Sequence, residues 1–149
     1  MYRLNLPEYE IKISEKEGKP VIFDFLRRRY VALTPEEWVR QHFVHYLVEH
    51  KGYPKGLLSN EVELRLGNKR LRCDSILYNK VAQPQMIIEY KAPTIQLQQK
   101  TFDQISAYNL LLKVDYLIIS NGLQHYCCKM DYEHQKYLFL QEIPEYKNI

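Results

Sequence analysis

No stretch of this chain approaches the roughly 20 consecutive apolar residues of a membrane span, and the N-terminal MYRLNLPEYEIKISEKEGK has no signal-peptide core. The expectation is a cytoplasmic protein that makes no membrane contact. Cysteine is scarce, and three residues, an odd number, give no disulfide framework. Cys127 and Cys128 lie close to His125 but have no second ligand pair at finger spacing, so they read as strand residues in a reducing compartment rather than as a zinc site. The five histidines form no HExxH pattern, and His42, His45 and His50 read as exposed positions of one helix. A GxxxxGKS/T loop is missing, so no ATP-driven motor is expected here. No recognition helix is flanked by a second basic helix, so sequence-specific reading of a duplex is not expected either. Excess charge is also lacking. A net charge of only +3 and a pI near 8.6 leave no uniformly basic coat, and any affinity for nucleic acid must come from local patches.

What is present suits one folded unit. A length of 149 residues with 46% hydrophobic content is ordinary for a single globular domain that buries a real core. PVIFDF (20–25) and RYVAL (29–33) read as an N-terminal hairpin around the run Arg27, Arg28, Arg29. Thr34 and Pro35 cap a helix through about Lys51, where Gly52 stops it. Strands follow at 61–67, 70–78 and 85–91, the first two joined by a Gly67-Asn68 turn. A second helix over about 96–112 leads to a buried strand at 114–120, and Asn121-Gly122 turns the chain into closing strands near 123–130 and 136–141. The order α, β, β, β, α, β predicts a mixed sheet flanked by helices, one α/β domain with an N-terminal hairpin. The division expected is a hairpin extension over 1–33 and the main domain over 34–149.

Chemistry concentrates in Arg-Cys-Asp (72–74) and Ile-Glu-Tyr-Lys (88–91). If Tyr78 pairs with Gln85 across the NKVAQP loop, position numbers on the two strands sum to a constant and Asp74 falls opposite Glu89. Their Cβ atoms are then about 5 Å apart on one face. Lys91, two residues beyond Glu89, points to that face as well. Two carboxylates directly across a sheet repel each other, a cost that a purely structural sheet tends to avoid. A divalent cation removes the objection, because Mg²⁺ takes hard oxygen ligands from one or two carboxylates and keeps positions open for water and phosphate. The arrangement therefore suits metal-assisted attack on a phosphodiester, with Lys91 orienting the nucleophile or neutralising developing charge. A slip of one residue in the register would destroy it. Taken alone, Glu-x-Lys on a strand is usually a solvated face; the combination of elements in this order is what raises it above that.

The pattern of Asp and Glu-x-Lys, with a Glu-bearing helix before it and Gln-x-x-x-Tyr after it, resembles the PD-(D/E)xK nuclease superfamily. More specifically it resembles the N-terminal nuclease domain of type I restriction enzyme R subunits. PEEWVRQHFVHYL (35–47), RCDSILY (72–78), IIEYKAPTI (87–95), TFDQISAYN (101–109) and VDYLIISNGLQHYCC (114–128) carry the likeness, which covers most of the chain from Thr34 to about Tyr137. Cys73 stands where the superfamily name has Pro, a departure that removes no ligand.

The resemblance implies a restriction-endonuclease-like fold and a Mg²⁺-dependent endodeoxyribonuclease, with Mn²⁺ as a substitute ion. It implies that Asp74 and Glu89 bind the metal, that Lys91 is the catalytic lysine, and that Glu36, or Glu37 in its place, adds a helix carboxylate. Gln104 and Tyr108, spaced i and i+4 on one helix face, match the element beside the active site in such nucleases. Alternatively, Glu36 and Arg40 form a surface ion pair, and Gln104 and Tyr108 are polar helix-surface residues. Lys69, Arg70, Arg72 and Arg28 are candidate phosphate contacts, against the plain reading of basic runs as solubility devices. The partners implied are DNA and proteins that supply specificity or a motor, and cutting both strands of a duplex suggests a homodimer through exposed sheet edges. The alternative is an inactive nuclease-fold module that binds DNA or docks onto a protein.

Overall fold

Central strands buried along most of their length set the architecture. The computed structural model describes residues 1–149, apart from the side chains of residues 108, 110 and 111. In chain order the elements are β1 (Ile13–Lys16), β2 (Lys19–Asp24), β3 (Arg29–Ala32), α1 (Pro35–Glu49), β4 (Leu58–Leu66), β5 (Lys69–Tyr78), β6 (Pro84–Tyr90), α2 (Gln99–Leu112), β7 (Tyr116–Ser120), β8 (His125–Asp131) and β9 (Lys136–Leu140). Strands β1 to β3 form a three-stranded sheet, and β4 to β9 form a six-stranded sheet in sequence order. Only β6 and β7 run parallel, because α2 carries the chain between them; the other pairs are antiparallel. This is the mixed α/β sheet expected.

Both faces of that sheet are covered. Met86, Ile88 and Tyr90 of β6 pack with Val39, Phe43 and Leu47 of α1, whereas Ile87 packs with Phe102 and Ile105 of α2. The run Met86-Ile87-Ile88 is apolar without alternation because its strand is buried on two sides. Each such side chain contributes about 1.5–3 kcal/mol on burial, so α1 and α2 clamp the strand that carries Glu89. Thr34 caps α1 through its hydroxyl, which accepts from the Glu37 N–H at 3.1 Å, and Pro35 takes the first helical position, where its missing donor costs nothing.

Three expectations need correction. The N-terminal hairpin is a three-stranded meander, because the polar segment Ile13–Lys16 adds β1 to β2. Its four residues are all exposed, so no hydrophobic alternation marks them. Tyr78 pairs with Pro84, not Gln85, through an irregularity between Leu77 and Tyr78. The Asn79 side chain there gathers the N–H groups of Val81 and Gln83, at 3.0 Å each. Finally, His42 is buried and His45 half-buried rather than exposed. The segment from Tyr2 to Tyr9 lies along α1: Trp38 donates its indole N–H to the Tyr2 carbonyl at 2.8 Å, and Tyr9 stacks on His45 at 5.3 Å.

Candidate active site

The pairing of β5 with β6 holds Ile76 against Ile87 and Ser75 against Ile88. One step further along this register, Asp74 faces Glu89. The ladder opens there: the Tyr90 N–H donates at 2.9 Å to Asp74 Oδ2, so a side-chain oxygen takes a backbone donor. One carboxylate oxygen of Asp74 is thereby held by the main chain of the neighbouring strand. The Asp74 and Glu89 carboxyl groups are close enough to act on each other's ionisation. Burial first, and then the facing Asp74, push Glu89 up to about 8. Burial also raises Asp74, against the opposing pull of the Tyr90 N–H and the Arg40 guanidinium. Carboxyls held up in this way in a half-buried site can exchange a proton for a cation.

Lys91 leaves the end of β6 with its N–H on the Ser120 carbonyl at 2.9 Å, and its ammonium acts electrostatically on Glu89. The carboxyl pair opens into a cleft of about 440 Å³ whose lining includes Arg27, Glu36, Glu37, Arg40, Glu61 and Arg72.

From Tyr90, which lines the cleft, a buried hydrogen-bonded chain ties four strands together. The Tyr90 hydroxyl donates to Ser75 Oγ at 2.9 Å, Ser75 donates to Asn60 Oδ1 at 2.6 Å, and Asn60 Nδ2 reaches both oxygens of buried Asp24 at 3.2 Å. Asp24 also accepts the N–H groups of Leu26 and Arg27, each at 2.8 Å, and pairs with the Arg27 guanidinium. Burial works to raise Asp24, but these donors overcome it and hold the carboxyl below its usual range. The turn after β2 is thus fastened to the strands that carry the site.

Arg40 is the hub that sequence reasoning missed. Only 5% of its side chain is exposed, and it reaches from α1 to three places: the Asp74 carbonyl at 3.1 Å, Glu61 Oε1 at 2.6 Å and Glu37 Oε2 at 3.3 Å. It also lies over the Tyr90 ring at 5.7 Å. Its partner on α1 is Glu37, not Glu36. Glu61, also missed, projects from a left-handed backbone (φ 53) inside β4 and binds Arg72 as well as Arg40. Burial opposes ionisation of Glu61, yet the two arginines keep its carboxylate below the usual range.

The remaining candidates are dispersed. Glu36 is exposed at the cleft rim, whereas Glu37 is buried among Arg27, Arg40 and Gln41. Among the described residues, no three His, Cys, Asp or Glu side chains form a metal-holding group, so Glu36 does not complete a triad with the carboxyl pair. The pair itself still fits Mg²⁺, which commonly takes one or two carboxylates and fills its other positions with water and phosphate. Gln104 is exposed on α2. Tyr108 lies in the same helix, and its side chain falls outside the described residues. Arg72 lines the cleft, Arg70 and Lys69 stand further out on β5, and Arg28 is exposed in the turn between β2 and β3.

Comparison with known proteins adds two findings. The family model described as the type I restriction enzyme R protein N terminus matches residues 35–144. Among solved structures, the fragment structure described as an HsdR subunit of a type I restriction enzyme from Vibrio vulnificus YJ016 superposes with a TM-score of 0.53 at 18% identity. The match covers 75% of this chain and 24% of that one, so this chain spans about a quarter of its neighbour's length. No curated protein matches.

Proposed function

This chain belongs to the type I restriction enzyme R protein N-terminus family, and from that premise we propose that it is a Mg²⁺-dependent deoxyribonuclease that hydrolyses phosphodiester bonds within DNA. The observation that carries the reading is the facing pair Asp74 and Glu89, with one oxygen fixed by the Tyr90 N–H and Lys91 two residues beyond. Two half-buried carboxyls facing each other cost stability when both ionise, and a hard cation held between them offsets that cost. When bound, Mg²⁺ supplies charge to a phosphoryl oxygen and lowers the pKa of an attacking water.

The rest of the chemistry belongs to the chain. Glu89 would give up its proton to solvent so that both carboxylates could serve as ligands. Asp74 keeps its orientation through Tyr90, and Arg40 holds the Asp74 carbonyl in place from α1. Lys91 donates toward the nucleophile or the phosphoryl oxygens as negative charge develops. Arg72 and Arg27, on the cleft wall, sit where flanking phosphates would lie.

A non-catalytic module with this fold is the competing reading, and it is favoured because, among the described residues, no third carboxylate groups with the pair to hold a metal. Cleavage of supercoiled plasmid with Mg²⁺ or Mn²⁺, alongside Asp74→Ala and Lys91→Ala, separates the two. The proposal expects metal-dependent nicking by the parent protein and a loss of about 100-fold or more in each variant. Intact plasmid in every lane, together with no metal binding by titration calorimetry, would establish the module instead.

A further inference from the structure

The pairing of β4 with β5 continues well past the edge of the main sheet. The partnership of β5 with β6 ends at Ser75 and Ile88, yet β4 and β5 stay paired out to Leu66 and Lys69. Beyond Asp74 the two strands therefore form a ribbon that leaves the sheet at the carboxyl pair. Its faces are exchanged relative to the body. Leu58 and Leu77 pack under α1, whereas Val62 and Cys73, in step with them on the same strands, pack under α2. The reversal falls at Glu61 and Asp74, where Glu61 has φ 53. Its consequence is that the covered side of the ribbon (Leu71, Cys73) is anchored in the core, and the opposite side, with Arg65, Arg70 and Arg72, is exposed and continuous with the cleft.

The charges on that exposed side are placed against their own repulsion. Arg65 lies directly across from Arg70, a like-charge pair that costs stability in a sheet. Glu63 approaches Arg70 at 3.5 Å and Glu61 holds Arg72, but among the described residues Arg65 has no acidic partner. An unpaired cation facing another cation is the same kind of signal as the facing carboxylates, with the sign reversed. Such a placement suits a polyanion that would offset the repulsion.

We infer that the β4–β5 ribbon is a duplex-binding arm in which Arg65 and Arg70 hold the phosphate backbone at a fixed distance from the carboxyl pair. The inference rests on the DNA-cleaving reading for its choice of polyanion. Duplex is favoured over single strand by shape, since a two-stranded ribbon is of the width that a DNA groove admits. Four residues of strand separate Asp74 from Arg70, about 13 Å at 3.3 Å per residue. That reach corresponds to about four phosphates along one strand at 3.4 Å each. The arm would therefore touch the backbone about four base pairs to one side of the bond at the carboxyls.

Binding without metal tests the arm separately from cleavage. Fluorescence anisotropy in EDTA, with a duplex of about 20 base pairs and its isolated strand as probes, would compare the parent protein with Arg65→Ala/Arg70→Ala over a salt series. The arm predicts that duplex affinity falls about tenfold and that the slope of log K against log salt shrinks by about two, at 0.9 per lost phosphate contact. It predicts a smaller change on the single strand. Arg65→Lys/Arg70→Lys, which keeps the charges, should retain most of the slope. An unchanged slope on duplex, or equal losses on duplex and single strand, would overturn the arm. A protein that fails to cut plasmid but shows the expected slope change would leave the arm standing and remove only the nuclease reading.

Discussion

Arg40 shows how much of the site depends on one side chain. It is buried, it satisfies the Asp74 carbonyl, and it neutralises Glu37 and Glu61, which come from separate elements. Removing one member of such a buried network strands the other charges, a loss of about 3–5 kcal/mol. Arg40→Met should therefore lower the urea midpoint by that equivalent, and a change under about 0.5 kcal/mol would show that the ion network carries no stability. Arg40→Lys should not rescue, since a single ammonium cannot present the fork that donates to the Asp74 carbonyl and to Glu61 at once. The facing of Asp74 and Glu89 was legible because period-two alternation and a register sum that holds from Leu77 and Met86 inward place them without tertiary knowledge. Arg40 and Glu61 were not. The partners of Arg40 lie 34 and 21 residues away in sequence, and nothing in Glu-Val-Glu-Leu announces that a strand residue takes a left-handed backbone.

Elements whose burial follows a simple pattern were read correctly, and those defined by what they rest on were not. Helix α1, with its Thr34 cap, and the apolar strands β6 and β7 follow from local rules. Strand β1 and the N-terminal segment beside α1 do not, because their order depends on neighbours met only in the fold. The turn between β7 and β8 belongs to both groups. Asn121-Gly122 announces a turn, and the structure adds that Gly122 has φ 84 and that a Cβ there would come within 2.6 Å of Leu4 Cδ2 and 3.1 Å of Val39 Cγ2. Its carbonyl also accepts the Asn5 N–H at 2.8 Å. Gly122→Ala is expected to cost about 1–3 kcal/mol through backbone strain and overpacking. The loss should appear in thermal unfolding together with faster proteolysis ahead of Tyr9. A variant as stable and as resistant as the parent would mean that the N-terminal segment yields freely.

At the scale of the whole molecule, the N-terminal segment is tied to the main sheet by a histidine. His125 is bonded to Ser120 Oγ at 2.6 Å and to the Asn5 carbonyl at 3.0 Å, and its ring lies 5.5 Å from that of Phe43. Burial holds His125 below its ordinary value of 6.5, and it does the same to His42 and His45 beneath the segment. Below pH 6.5 the unfolded chain takes up protons that the folded chain refuses, so these groups make stability fall as the pH falls through that value. Glu89 acts in the opposite sense, because its raised value makes the fold lose stability as pH climbs toward about 8. The readout is therefore the difference between the parent protein and His125→Gln in urea midpoint from pH 7.5 to 5.5, a range spanning about two units around the ordinary histidine value. The parent should lose more on acidification than the variant. Parallel pH profiles would remove His125 from the account.

The ribbon that departs from the sheet at Asp74 also divides the molecule in time. Strand β6 is hydrogen-bonded on both edges and covered on both faces, so its amides open only with the whole fold, whereas the ribbon tip near Gly67 has water on nearly every side and can fray alone. Asp74 stands at the joint between a strand covered on both faces and a ribbon whose tip is exposed. A reactive group mounted there keeps a rigid seat, the ribbon's base keeps its distance through buried Leu71 and Cys73, and only the tip beyond them is free to follow a long, irregular polymer.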